Sequence, residues 1–161
     1  MSEAAKPTFE QRLQAVEDRL AIYNLISAYG PAVDACSIAN NAALWTDDCL
    51  YEVGGIADYA GQAGLAEMIE GPFHQNVTRN GSGHVLSLPY VEIDGDRAVG
   101  TNYAKLFAHQ DGAFTLKRLV VSRWEFRREG GEWKISKRTN MLLDGSPEGK
   151  ALLARTPEKL A

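Results

Sequence analysis

The stretch VEIDGDRAVGTNYAKLFAHQDGAFTLKRLVVSRWEFRREGGEWKISKR, residues 91–138, decides the fold. Apolar and polar side chains alternate along most of it, which is typical of half-buried β-strands. Turn residues around Gly95, Gly112 and Gly130 interrupt the alternation, and glycine tolerates the positive φ of tight hairpins. We therefore predict consecutive strands that pair as an antiparallel meander. The predicted strands cover residues 84–93, 96–109, 113–128 and 132–143.

A long helix is predicted upstream of the strands, over TFEQRLQAVEDRLAIYNLISAY, residues 8–29. Thr8 and Gln11 have the spacing of a capping box at its start. Gly30 and Pro31 then interrupt the helix, and we expect a kink or a fresh turn there, because proline lacks an amide and disfavours helix in the residue before it. The apolar positions expected to form the buried side are Leu13, Val16, Leu20 and Tyr23, widened by Ile22, Leu25, Ile26 and Tyr29.

Shorter elements complete the pattern. We predict helices over residues 37–46 and 63–73, a strand that begins at Cys49, and a tail helix over PEGKALLA, residues 147–154. Helices come first and most strands come later, and this order favours an α+β fold over alternating βαβ units. We expect N-terminal helices to cover one face of a curved antiparallel sheet, which curls into a cone with a partly unfilled interior.

Composition and length place the chain among globular proteins. Its 161 residues are 45% hydrophobic and 24% charged, and we expect one domain over residues 1–161, with a core at about 8–143 and a tail at 144–161. The net charge of -4 offers no basic footprint for a phosphate backbone, so nucleic acid is not an expected partner. Residues 1–12 do not resemble a signal peptide and no apolar run approaches membrane-spanning length, so we expect a cytoplasmic protein without a membrane partner.

Asp34 and His84 are the candidate catalytic residues. Asp34 follows Tyr23 by eleven positions, about three helical turns, and so falls on the apolar side of the helix, where a carboxylate needs a hydrogen-bond partner or a raised pKa. His84 begins an apolar strand. If the two meet inside the cone, the carboxylate fixes the imidazole tautomer and raises its basicity, which suits proton abstraction. The alternatives are an exposed Asp34 that caps the next helix and a His84 that is only a packed core histidine.

The other histidines and the tryptophans have less specific patterns. His74 and His109 are expected to be exposed, and the three tryptophans are expected in the core. Trp45 has the alternative of lining the entrance of a pocket. Cys36 and Cys49 are too far apart for a redox pair and too few for a zinc site, so no metal is expected.

Four segments together resemble a known family. They are AYGPAVD (28–34), LYEVGG (50–55), GSGHVLSLPYVEIDGD (81–96) and VSRWEFRREGGEWKISKR (121–138). In this order they resemble the SnoaL-like branch of the nuclear transport factor 2-like superfamily, over about residues 8–143. The resemblance implies a cone-shaped, cystatin-like α+β barrel and a homo-oligomer, with a trimer favoured and a dimer as the alternative.

Within that branch the sequence is similar to scytalone dehydratase, bile-acid dehydratase and hexachlorocyclohexane dehydrochlorinase, which are cofactor-free lyases with an Asp-His pair. Asp34 and His84 match that pair. Tyr29 matches a tyrosine of bile-acid dehydratase. Tyr51 matches a scytalone dehydratase tyrosine that helps to hold a water over the substrate carbonyl, and Arg138 matches a dehydrochlorinase arginine that assists the departing anion.

Another comparison within the branch argues against one substrate. The serine and asparagine that scytalone dehydratase uses on its third long strand fall near Leu119 and Val121 here, so scytalone itself is not expected. The shape of the pocket depends on side chains from four strands whose register the sequence does not fix, so the substrate stays unassigned.

The predicted function is a cofactor-independent β-elimination of water, or of another small leaving group, from a mostly apolar cyclic molecule. His84 removes a proton, Asp34 stabilises the imidazolium, and a tyrosine hydroxyl assists the leaving group. Tyr51, Arg138 and Trp45 are the expected substrate contacts. One alternative is a double-bond isomerase or polyketide cyclase, and another is a non-catalytic ligand-binding or oligomerisation module of the same fold.

Overall fold

One curved, unclosed sheet with helices around it forms the body of the computed structural model, which describes residues 6–157. The predicted α+β fold is confirmed. The helices are α1 (Phe9–Asp34), α2 (Ile38–Ala42), α3 (Gly61–Glu70), α4 (Pro72–Thr78) and α5 (Pro147–Ala154). The strands are β1 (Trp45–Val53), β2 (Ala57–Ala60), β3 (Ser82–Leu86), β4 (Tyr90–Asp94), β5 (Arg97–Gln110), β6 (Ala113–Glu129) and β7 (Glu132–Leu142).

Two parts of the sequence predictions extend past the described residues. The expected domain of residues 1–161 and its tail include positions 1–5 and 158–161, which lie outside the structure's described range. Across residues 6–157, none of the helices combines the length and apolar character needed to cross a membrane. The cytoplasmic location stays a prediction.

The meander is confirmed in the strand order β2-β1-β7-β6-β5-β3, with β4 also paired to β5. The hairpin glycines Gly95, Gly112 and Gly130 have φ values of 56°, 77° and 58°, as the turn pattern requires. One pairing is not antiparallel, because β1 runs parallel to β7. The single strand predicted over residues 84–93 is two strands, β3 and β4, because Pro89 between them cannot donate a ladder hydrogen bond. Both strands pair with β5.

The first helix does not end at Tyr29, as predicted, but runs through Gly30 and Pro31 to Asp34, so the predicted end is wrong. Beyond the proline the helical hydrogen bonding resumes, with the Ala35 amide donating to the Pro31 carbonyl at 3.0 Å. Packing explains the continuation, because Val33 is fully buried. Gly30 serves this packing: a Cβ built there would lie closer than 3.0 Å to the backbone oxygen of His84.

The buried side of α1 is also shorter than predicted. Its second half buries Ile22, Ile26, Tyr29 and Val33, but Leu13, Val16 and Leu20 are 47%, 56% and 54% exposed. The buried residue of the first half is Asp18, which accepts hydrogen bonds from Arg128 (2.8 Å) and Trp133 (3.0 Å). Because Arg128 on β6 and Trp133 on β7 bind Asp18, the first half of α1 faces the sheet with this carboxylate and not with its leucines.

Replacing Gly30 with alanine tests the close packing of α1 against β3. In an unhindered helix this change stabilises by up to about 1 kcal/mol. Here the methyl group meets the His84 carbonyl, so we expect the free energy of unfolding to fall by about 1–3 kcal/mol in urea titrations. Gly83→Ala is the matched control on β3, where an added Cβ meets nothing within 4 Å. A stabilised Gly30→Ala variant would contradict the predicted contact.

Asp18 gives a pH-dependent contribution to stability. Burial acts to raise the pKa of Asp18, but hydrogen bonds from Arg128, Trp133 and Gln14 outweigh it and lower this pKa below its ordinary value. The stabilisation is therefore complete above the unfolded-state pKa of about 3.9 and is lost as the pH falls through the folded-state pKa. We expect Asp18→Asn to show a shallower acid decline in unfolding free energy than the wild type. Asp58→Asn, at an exposed acid on β2, should keep the wild-type slope.

Candidate active site

Asp34, the last residue of α1, is hydrogen-bonded to β3 at three points. Its Oδ1 accepts from Ser82 Oγ (2.5 Å) and lies 2.7 Å from His84 Nδ1, and its Oδ2 accepts from the His84 backbone amide (2.7 Å). An ionised carboxylate only accepts, so Nδ1 of His84 carries the proton and Nε2 of the neutral ring is a free acceptor. The structure thus brings the predicted pair into contact.

The carboxylate of Asp34 is stabilised in its charged form. Partial burial acts to raise its pKa, yet hydrogen bonds from His84 and Ser82 outweigh this effect and hold the pKa of Asp34 below its ordinary value. Asp34 therefore stays ionised near neutral pH and acts as a fixed negative charge behind the imidazole.

A cavity of about 240 Å³ lies in front of His84, between the sheet and helices α3 and α4. Most of its wall is apolar, with side chains such as Val53, Met68 and Val120. Polar groups occupy the smaller part of its wall, which is typical of a site for an apolar small molecule. Those at its inner wall are Tyr29, Tyr51, His74, His84, Arg138 and Asn140.

Arg138 places a positive charge in this wall without a carboxylate partner among the described residues. Its guanidinium is 2% exposed and lies 4.1 Å from the Trp124 ring centroid and 4.3 Å from that of Tyr29. Nη2 donates to Ser122 Oγ at 3.0 Å, whereas Nε and Nη1 have no hydrogen-bond partner. Two buried, unused donors on a cation are costly unless a ligand accepts from them.

A chain of hydrogen bonds connects Arg138 to Tyr51. Ser122 Oγ donates to Asn140 Oδ1 (2.6 Å), and Asn140 Nδ2 donates to the Tyr51 hydroxyl oxygen (2.7 Å). The proton of the Tyr51 hydroxyl is therefore not used toward Asn140. Burial, together with the neighbouring Tyr51, raises the pKa of Tyr29 well above its ordinary value, so Tyr29 stays a neutral hydroxyl.

His74 is buried against the catalytic pair, so the prediction that it is exposed is wrong. Its side chain is 6% exposed, and Nε2 lies 2.9 Å from the Val33 carbonyl, which makes Nε2 the protonated nitrogen. Its ring is stacked on His84 with centroids 6.0 Å apart. Burial lowers the pKa of His74 and outweighs the bond to Val33. The predicted single helix over 63–73 is two helices, because Pro72 starts α4, and this break turns His74 inward.

The predictions for His109 and for the three tryptophans have different outcomes. His109 is half-buried, with Nδ1 3.2 Å from the Asn80 carbonyl, and it does not border the inner cavity. Trp45, Trp124 and Trp133 are buried in the core as predicted. Trp45 lies behind Tyr29 and Tyr51 and donates to Asn41 Oδ1, so it supports the wall and does not line a pocket entrance.

Sequence reasoning missed Ser82, His74, Ser122 and Asn140. Ser122 and Asn140 are direct partners across β6 and β7, and Ser122 is one residue away from Val121, near which a polar residue of scytalone dehydratase falls. A usable signal existed for Ser122, because it shares the period-two phase of the buried Trp124 and Phe126. A polar residue in the apolar phase of a strand marks a candidate site. Within residues 6–157, no cluster of three or more His, Cys, Asp or Glu side chains could hold a metal ion.

Residues 14–139 match the SnoaL-like domain family. The chain belongs to this family. It is 30% identical over 129 residues to the gamma-hexachlorocyclohexane dehydrochlorinase of Sphingobium indicum, which covers 78% of this chain and 81% of that enzyme. The family resemblance drawn from the sequence is thereby confirmed, and together these matches support a lyase-like elimination activity in general.

Solved structures of related proteins have the same fold. An NTF2-like protein with a cystatin-like fold from Novosphingobium aromaticivorans is 34% identical, with a TM-score of 0.87 over 92% of this chain and 99% of that chain. A hexachlorocyclohexane dehydrochlorinase from Novosphingobium barchaimii has a TM-score of 0.73 at 23% identity, over 82% of this chain and 90% of that chain, and this likeness concerns the fold alone.

The tautomer of His84 is directly measurable. In long-range ¹H–¹⁵N spectra recorded at a pH at which both rings are observed to be neutral, His84 should be protonated at Nδ1 and His74 at Nε2. Asp34→Ala removes the acceptor of the Nδ1 proton, so we expect His84 to change to the Nε2-protonated form while His74 keeps its tautomer. Wild-type His84 protonated at Nε2 would contradict the assigned hydrogen bond.

Proposed function

We propose that the protein is a cofactor-independent lyase that eliminates water, or another small leaving group, from a mostly apolar cyclic molecule. The observation that carries this proposal is the 2.7 Å contact between Asp34 and His84 at the wall of an apolar cavity. Arg138 lines the same cavity, and its Nε and Nη1 have no hydrogen-bond partner in the protein. A base and a cation at different places in one site suit a reaction that removes a proton and releases an electron-rich group.

In the proposed reaction, His84 Nε2 takes a proton from a substrate carbon. The electron pair of that C–H bond forms the new double bond, and the bond to the leaving group breaks with its electrons on the leaving atom. Asp34 stabilises the imidazolium that forms. Arg138 and the hydroxyls of Tyr29 and Tyr51 stabilise the departing group. A departing hydroxide takes up the proton that His84 removed, which releases water and returns the imidazole to its neutral form.

His74 contributes as a positioning residue in this scheme. Its lowered pKa keeps it neutral, so no second positive charge arises beside His84 when that ring becomes protonated. Its bond to the Val33 carbonyl also ties α4 to the residue that precedes Asp34. The stacked ring therefore limits the movement of His84 away from the carboxylate.

The related proteins support this proposal at the level of reaction type. The Sphingobium indicum relative is a dehydrochlorinase by name, which is an elimination without a hydrolytic step. A homo-oligomer, with a trimer favoured, stays a prediction. Exposed apolar side chains on the outer sheet face, at Val85, Tyr103 and Leu116, are compatible with such an assembly.

His84→Ala tests the proposal on a panel of cyclic ketones, sterols and phenolic polyketides. A wild-type product lighter than the substrate by one water, or by another small leaving group, supports the lyase, whereas an unchanged mass would identify an isomerase or cyclase. For a substrate that reacts, we expect kcat to fall about 10²–10⁴-fold in His84→Ala and to recover in part on addition of imidazole. A thermal melt checks that the variant folds. Full activity of the variant would remove His84 from the mechanism.

A further inference from the structure

Arg118 stands at the junction of two hollows. The inner cavity beside His84 adjoins an outer hollow of about 820 Å³, and both are bordered by Ile56, Phe73, Leu106 and Arg118. The inner cavity has room for a compact ring system, and the outer hollow extends the space toward solvent. A ligand larger than one ring system would therefore pass Arg118.

The strand pairing turns Arg118 toward the inside. Arg118 pairs with Leu106 on β5, and Leu106 pairs with His84 on β3, so the three side chains lie on one face of the sheet. A bulge next to this pair inserts Lys117, since the following pair is Phe107 with Leu116. The bulge separates inward-facing Arg118 from Leu116, which is half exposed on the other face.

The charges around this junction are unbalanced. Arg118 forms no ion pair within the described residues, and no carboxylate borders the inner cavity in that part of the chain. The outer hollow adds Lys117 and amide side chains such as Asn76 and Asn80, against one acid, Asp111. The route from His84 to solvent thus carries a positive charge at Arg138 in the inner wall and again at Arg118 and Lys117 where it widens.

We propose that the junction binds a carboxylate, so that the substrate is an apolar ring with an anionic arm. The ring lies in the inner cavity beside His84, and the arm reaches the Arg118 guanidinium, which matches a carboxylate with two parallel N–H donors. Naming this ligand as the substrate rests on the proposed function. The binding site itself does not, because it is defined by residues outside the catalytic pair.

A matched pair of probes tests the site without turnover. We would titrate 2-naphthoate and 2-naphthamide, which differ in charge and share the ring system, by isothermal calorimetry into the wild type, Arg118→Gln and Arg97→Gln. Arg97→Gln removes the same guanidinium charge from β5, at an exposed position that borders neither hollow. Arg118→Lys restores the charge without the planar fork, and thermal melts check folding.

We expect the wild type to bind naphthoate more tightly than naphthamide, with the difference shrinking as salt is raised. Arg118→Gln should raise the Kd for naphthoate about 5- to 10-fold and that for naphthamide less than about 2-fold, because only the charged probe loses a partner. Arg97→Gln should leave both unchanged, and Arg118→Lys should be intermediate. Equal naphthoate affinity in the wild type and Arg118→Gln, an equal loss in Arg97→Gln, or no preference for naphthoate in the wild type would overturn the site. His84→Ala should keep the preference, so failure of the lyase reaction stays distinguishable.

Discussion

The contact between the end of α1 and β3 is the constraint on which the rest of the structure depends. Asp34 binds both the backbone amide and the ring of His84, so one carboxylate fixes the position of the strand and the orientation of the imidazole. Gly30, one turn earlier, lets the helix approach the His84 carbonyl closely enough for this to happen. Because Val33 on the same turn is fully buried, core packing and site geometry cannot be changed independently.

The site holds its negative charge, Asp34, and its buried positive charge, Arg138, at separate places. Asp34 lies behind His84 and is satisfied by three hydrogen bonds, whereas Arg138 lies across the ring of Tyr29 without a carboxylate partner in the described residues. Burying such a cation is unfavourable, and the faces of Tyr29 and Trp124 offset part of the cost by cation–π attraction. In the proposed reaction this cation would stabilise the electron-rich group that leaves the substrate.

The sequence was sufficient for features set by local periodicity and insufficient for those set by distant partners. The strands, their glycine turns and the Thr8 cap follow from local rules, and all are present. The end of α1 was misplaced because packing on β3 overrides the local effect of Pro31. The buried half of α1 was misjudged because Asp18 finds its partners 110 and 115 residues away. The Asp34–His84 pair was proposed from helical spacing and an apolar strand and was supported by the family resemblance, whereas the position of His74 depended on a helix break at Pro72.

Register explains why the remaining wall residues could not be assigned from sequence. On β7 the buried residues are Trp133 and Ile135 before Ser136, and Arg138 and Asn140 after it. Glu125 pairs with Lys137 and Phe126 with Ile135, so Ser136 is an inserted residue that shifts the alternation by one. With strict alternation Lys137 would point into the cavity, but it binds Glu52 instead. A single bulge, with no distinctive sequence signal of its own, therefore determines that the buried cation is a planar guanidinium held between aromatic rings rather than a flexible ammonium.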